Sequence, residues 1–228
     1  MTADEPLFQL ATIDTPAAPR QPDFLIDDGR WLGDGTSIRG IVLPTQNEQR
    51  ARGLLEMAVP IVFLGEAALV DGELPARLAS EYGRGRIGVY LPVRRQQVSW
   101  ALETQSNADF RTFSPSHCEP AWEVLRADGS PTGTLATWWL GVMLESSASS
   151  AVIQVDIADD VDLNLCAGLM ELHAQRLWFA PLTAGVNRYA EWLQWGKVRQ
   201  LAVPVADFDH HPDIAALLDP VPGVAAIA

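Results

Sequence analysis

The sequence predicts an α/β fold built on parallel strands, and three observations within residues 151–205 carry that prediction. Residues 151–157 (AVIQVDI), 176–181 (RLWFAP) and 198–204 (VRQLAVP) are short apolar runs of strand length, rich in β-branched or aromatic side chains. Between them, Val161, Leu165, Leu169 and Leu172 share one helical face. Tyr189, Trp192 and Leu193 share another, with Gly196 placed as a C-terminal stop. Strand, helix, strand, helix, strand at this spacing calls for parallel strands joined by right-handed crossovers.

Composition bounds the rest. The chain has 228 residues, of which 48% are hydrophobic and 20% charged, so it can bury a core as one domain. A formal net charge of −13 argues against nucleic acid, whose phosphates need clustered Lys and Arg, and against an anionic membrane surface. No apolar run reaches the length of a spanning helix, and MTADEPLFQL lacks the basic start and apolar core of a signal peptide, so a cytoplasmic location is expected. Cys118 and Cys166 are too few for a disulfide framework and are expected to stay thiols.

Taken in order, residues 1–21 show no periodicity and read as an N-terminal arm. A single domain is expected over 22–219, with a tail at 220–228. Residues 24–26 read as the start of a short strand, and the Asp-Gly pairs that follow are turn chemistry. Residues 37–43 (SIRGIVL) form the first convincing strand, leading into a capping box at Thr45 and Glu48 and a helix over 46–57. A second strand follows at 60–64, an acid-led helix at 71–82, and a third strand at 86–91 ended by Pro92. Val98, Trp100 and Leu102, and then Trp122 and Val124, alternate with polar neighbours as an antiparallel ribbon would, around a polar loop at 104–120. A helix at 134–145 leads back to residue 151, and residues 214–218 read as a last short helix. Six parallel-type strands from Ser37 onward fit either an open doubly wound sheet or a closed eight-stranded barrel.

Three stretches are similar in pattern to the histidine-biosynthesis barrels, the ribotide isomerase and the cyclase. PIVFLGEAALVDGELPARLASEYGRGRIGVYLPVRR resembles that family's fourth strand, helix and fifth strand. WEVLRADGSPTGTLATWWLGVMLESSASSAVIQVDIADD resembles its ribbon, turn, helix and sixth strand, and RLWFAPLTAGVNRYAEWLQWGKVRQLAVPVADF its seventh strand, phosphate loop and eighth strand. The resemblance covers roughly residues 37–208 and implies a (β/α)8 TIM-barrel-like fold, incomplete or atypical at its N-terminal units. It also implies isomerase- or lyase-type acid/base chemistry on a sugar- or ribotide-phosphate. Asp159 falls at the family's sixth-strand acid, and Asp27 could stand for a first-strand acid. Departures are equally plain: the third-strand turn, Leu43-Pro44-Thr45-Gln46, has no glycine, and Leu91-Pro92-Val93 has no acid where the cyclase has one. Residues before Ser37 are too few for two ordinary strand and helix units.

Several groups could carry chemistry, each beside a structural reading. Asp156, Asp159 and Asp160 crowd a strand end, where carboxylates can form an acid and base pair or cap a helix. Thr183, Gly185 and Asn187 could hold a phosphate on backbone amides or serve as a plain turn. Arg94, with Arg84, Arg86 and Arg95, could meet phosphate or balance surface charge. Asp207, Asp209, His210, His211 and Asp213 have metal-ligand chemistry without metal-ligand spacing, so no metal is expected, and no cofactor either. Cys118, beside His117 and Glu119, has no identified base, while Cys166 lies on an apolar helical face as a small core residue. Trp138, Trp139, Trp192 and Trp195 read as core or interface anchors. The expected partner is a small phosphorylated metabolite, with a homo-oligomer or partner subunit alongside. Two functions remain open: an enzyme with Asp159 as acid or base, or a catalytically inactive barrel acting as a binding or assembly subunit.

Overall fold

The computed structural model describes residues 8–31, 33, 37–96, 119–185 and 187–218. Its strands are β1 (Gln9–Asp14), β2 (Phe24–Ile26), β3 (Gly40–Leu43), β4 (Val62–Leu64), β5 (Ile87–Arg95), β6 (Trp122–Leu125), β7 (Pro131–Leu135), β8 (Ser150–Gln154), β9 (Leu177–Ala180) and β10 (Gln200–Val203). Eight of them close a parallel barrel: β1 to β5 pair in sequence, β5 pairs with β8, then β9 and β10 follow. β10 returns to β1, with Gln9 opposite Gln200 and Thr12 opposite Val203. The chain therefore folds as a (β/α)8 TIM-like barrel. β6 and β7 form an antiparallel ribbon outside the closed wall, stacked on the far end of β5 through Val93 opposite Val124.

Helices α1 (Glu48–Glu56), α2 (Glu66–Val70), α3 (Leu74–Tyr82), α4 (Ala136–Ser146), α5 (Asp160–His173), α6 (Tyr189–Gln194), α7 (Val205–His210) and α8 (Pro212–Leu218) cover the outside. No helix among the described residues is long and apolar enough to cross a membrane. The main core lies between barrel and helices, where Ile41, Leu43, Val62, Leu64, Val89, Leu91, Ile153 and Phe179 meet Leu54, Leu78, Leu140 and Leu169.

Four features differ from the sequence expectation. The N-terminal arm expected over 1–21 contains β1, the strand that closes the barrel. QLATID gives no strand period because it mixes polar and apolar residues: Thr12 is buried by giving and receiving hydrogen bonds with Asp23. Both N-terminal strands are present without helices between them, which is how so short a stretch supplies two barrel staves. The first helix is capped by Asn47, whose side chain accepts from the Arg50 amide, and not by Thr45. The helix expected at 71–82 begins only at Leu74, after a turn at residues 71–73, and a separate short helix, Glu66–Val70, precedes it. The expected strand through Val98, Trp100 and Leu102, His117, Cys118 and the 220–228 tail lie outside the described residues.

Inside the barrel, Ala11, Ile13, Phe24, Val42, Phe63, Tyr90, Val152, Trp178 and Ala202 make a second apolar cluster. Its centre is aromatic: Phe24 meets Phe63 edge-on at 5.6 Å between centroids and Trp178 at 4.9 Å. Such rings fit only because the staves beside Phe63 carry glycine. A Cβ at Gly40 would lie 2.8 Å from the Phe63 ring, and one at Gly88 would lie closer still. Gly88→Ala is therefore expected to lower stability by about 1–3 kcal/mol through overpacking. Urea unfolding checks this, and the loss should shrink when Phe63→Leu first empties the space.

Candidate functional site

In a parallel barrel the strand ends that face the βα loops form the mouth, and chemistry in this fold gathers there. Here the mouth is walled by Asp14, the turn after β3, the extended β5 with its ribbon, and the loops after β8 and β9.

Asp159 ends the loop after β8, at the start of α5. Its carboxylate accepts from the amides of Val161 and Asp162 as the helix N-cap. Arg95 closes on the same carboxylate with both terminal amino groups, and also bonds Asp162. Asp162 in turn receives the Trp122 indole N–H at 3.0 Å and the Ala158 amide at 3.1 Å. The cluster fastens the ribbon to α5. The Arg95 guanidinium, and then the helix amides, hold the Asp159 carboxyl below its ordinary value. Asp160 is the first residue of α5 and is exposed.

Asp27 is buried, and its two oxygens take the Arg50 guanidinium at 2.7 and 3.0 Å. The same guanidinium reaches the Trp31 carbonyl, and Gln46 donates to the Asp27 carbonyl. Asp27 shares the parity of Leu25, which packs in the outer core, so it points at α1 and away from the barrel axis. Asp159 and Asp27 are thus held in two separate ion-pair clusters.

The loop after β9 is where backbone amides were expected to hold a phosphate. Its amides already face an anion that belongs to the chain. Asp156 accepts from the amides of Leu182 at 3.0 Å and Thr183 at 2.8 Å, and from the Thr183 hydroxyl at 2.7 Å. Gly185, at φ 82°, donates its amide to the buried Asp207 at 3.2 Å, and Asp207 also accepts the Tyr189 hydroxyl at 2.6 Å. Burial and that contact with Asp207 push the Tyr189 hydroxyl well above its ordinary pKa. Asn187, buried, donates to the Thr183 carbonyl.

The remaining candidates disperse. Asp209 pairs with Arg20, His210 Nδ1 meets the Ala206 carbonyl, and His211 Nδ1 accepts the Asp213 amide. Among the described residues no three His, Cys, Asp or Glu side chains gather as metal ligands. Cys166 is buried in the outer core, and burial pushes its thiol pKa far up, so it is not a poised nucleophile. Arg84 and Arg86 donate to carbonyls at the ends of helices and in turns, Arg84 to Leu144 and Arg86 to Leu55 and Val59. Trp139 and Trp192 are core residues, whereas Trp138 is 64% exposed and Trp195 60%.

Three mouth residues went unmarked in the sequence. Tyr90 donates its hydroxyl to Gln154 inside the barrel, and burial raises that hydroxyl to about 12. Glu123 is buried, and Arg94 donates its Nε to it at 3.2 Å. Period-two alternation along β5 would have aligned Gly88, Tyr90 and Arg94, but the partner strand lies beyond an intervening stretch of chain.

No family model matches the chain, and no curated protein matches it.

Two outcomes follow from these ion pairs. Arg50→Ala strands the buried Asp27 carboxylate and is expected to cost about 3–5 kcal/mol in chemical unfolding. Asp159 has a depressed folded pKa, so its stabilisation is present above the unfolded value near 3.8 and is lost as pH falls through the folded one. Asp159→Asn should therefore flatten the acid limb of a stability profile below about pH 4, while leaving the slope between neutral pH and pH 6 unchanged.

Proposed function

We propose that this chain is a catalytically inactive barrel that works by binding, as a ligand-holding or assembly subunit. The observation that carries the reading is the self-filled anion loop: Asp156 and Asp207 occupy the amides of Leu182, Thr183 and Gly185 that would otherwise meet a phosphate. A dianionic phosphate entering there must displace Asp156 and sit against its charge, which is unfavourable at short range.

The acids support the same reading. A general acid needs a pKa near the working pH, and Asp159 is shifted the opposite way by Arg95. Asp27 is committed to Arg50. On this reading the chain shares element order with the histidine-biosynthesis barrels and has exchanged their phosphate for its own carboxylates. Assembly is supported by α4, which is apolar on both sides: Trp139, Leu140 and Met143 face the core while Trp138 and Val142, one turn apart, are exposed.

Thermal unfolding with ribose 5-phosphate tests the proposal. The native protein is expected to show no saturable stabilisation and no turnover, whereas Asp156→Ala frees the loop and should gain a phosphate-dependent rise in Tm. Turnover of a sugar phosphate that disappears in Asp159→Asn would overturn it.

A further inference from the structure

β5 is longer than the barrel wall. It pairs with β8 as far as Pro92 opposite Gln154, then continues alone to meet β6. Along it, Gly88 and Tyr90 face the barrel interior, while Val89, Leu91 and Val93 face the outer core. Alternation places Arg94 on the interior side, above the mouth, and the cross-strand register puts Glu123 beside it on the same side. Arg95 goes the other way, to Asp159 and Asp162.

Glu123 is only 5% exposed and takes the Arg94 Nε at 3.2 Å. That contact orients the guanidinium from behind. Among the described residues, neither terminal amino group of Arg94 donates a hydrogen bond, and the side chain is 39% exposed. The Arg94 side chain borders a cleft of about 380 Å³ whose lining also includes Arg95, Gln96, Asp156, Asp162 and Leu182. That volume lies at the small end of metabolite sites, which run from about 300 to 1,000 Å³.

We propose that this cleft binds a small ligand bearing one carboxylate and at least one hydroxyl or amino donor. The end-on fork of Arg94 matches a planar carboxylate with two parallel hydrogen bonds. Local charge selects against a phosphate dianion. Glu123 already engages Arg94, Asp162 already engages Arg95, and Asp156 adds an exposed carboxylate on the facing wall. One spare fork therefore matches one negative charge, and Asp156 is placed to accept from the donor group at the ligand's other end. This deepens the binding role proposed above and rests on it.

Glycerate is a suitable probe, with propionate as the carboxylate lacking donors, inorganic phosphate as the dianion, and sodium chloride at matched ionic strength. Isothermal titration is expected to show saturable glycerate binding, weaker binding of propionate, and weaker binding again of phosphate. Arg94→Gln should weaken glycerate by at least about tenfold. Because that change alone strands the buried Glu123 carboxylate, the double variant Arg94→Gln with Glu123→Gln, which removes both charges together, is the decisive one and should lose binding equally. Glycerate affinity unchanged in a folded double variant, phosphate binding tighter than glycerate, or no saturable carboxylate binding overturns the site. Failure of the non-catalytic reading is separate: it registers as consumption of ligand, which the same calorimeter reports as continuous heat after saturation.

Discussion

Closure of the barrel through β1 and β10 is the constraint on which the rest depends. A parallel sheet buries both faces, and an open one leaves two rows of unpaired amides and carbonyls at its edges. Here both edges disappear when Gln9, Leu10, Ala11 and Thr12 lie against Gln200, Leu201, Ala202 and Val203. Closure also makes an inside, and that inside must be filled. Phe24, Phe63, Tyr90 and Trp178 fill it, with Gly40 and Gly88 giving up side chains so that one ring can cross the axis. Toward the strand ends the packed interior gives way to the hydrogen-bonded Tyr90 and Gln154 pair.

The chain is strongly acidic, yet several acids near the strand ends have donors from the chain itself. Asp27 has Arg50, Asp159 and Asp162 have Arg95, Glu123 has Arg94, and Asp156 has two amides and a hydroxyl. Crowded carboxylates raise one another's pKa when they share a site. Within residues 156–162, Asp159 and Asp162 share Arg95 while Asp156 turns to the amides of the next loop, so their partners lie on different elements. Asp156 alone keeps an exposed carboxylate against the cleft.

How far the sequence reveals this depends on where each partner lies. Fully buried parallel strands read as continuous apolar runs, so residues 151–204 announce their rhythm. β2 has three residues and β1 alternates with polar ones whose partners are tertiary, so the front of the barrel is nearly silent. The closed fold could be reached only by resemblance, because period alone fits an open sheet as well. The surroundings of the candidate residues are hidden for a related reason. Asp159 before an amphipathic run reads equally as a cap or a strand-end acid, and its partner Arg95 is distant in the chain and near in the fold. The same holds for Asp156, whose donors Leu182 and Thr183 belong to the next βα loop. Local chemistry was legible, and the pairing that neutralises it was not.

The way β1 is placed has a consequence for how the protein is made. Its partners are β2, close by in the chain, and β10, almost the whole described length away. Contacts of such separation form late, since ordering the intervening chain costs entropy before the contact returns anything. During synthesis the sheet therefore exists as a growing ribbon with exposed edges until residues 200–203 emerge. Until then the nascent barrel presents its most adhesive surface, and it becomes a closed object in one late step.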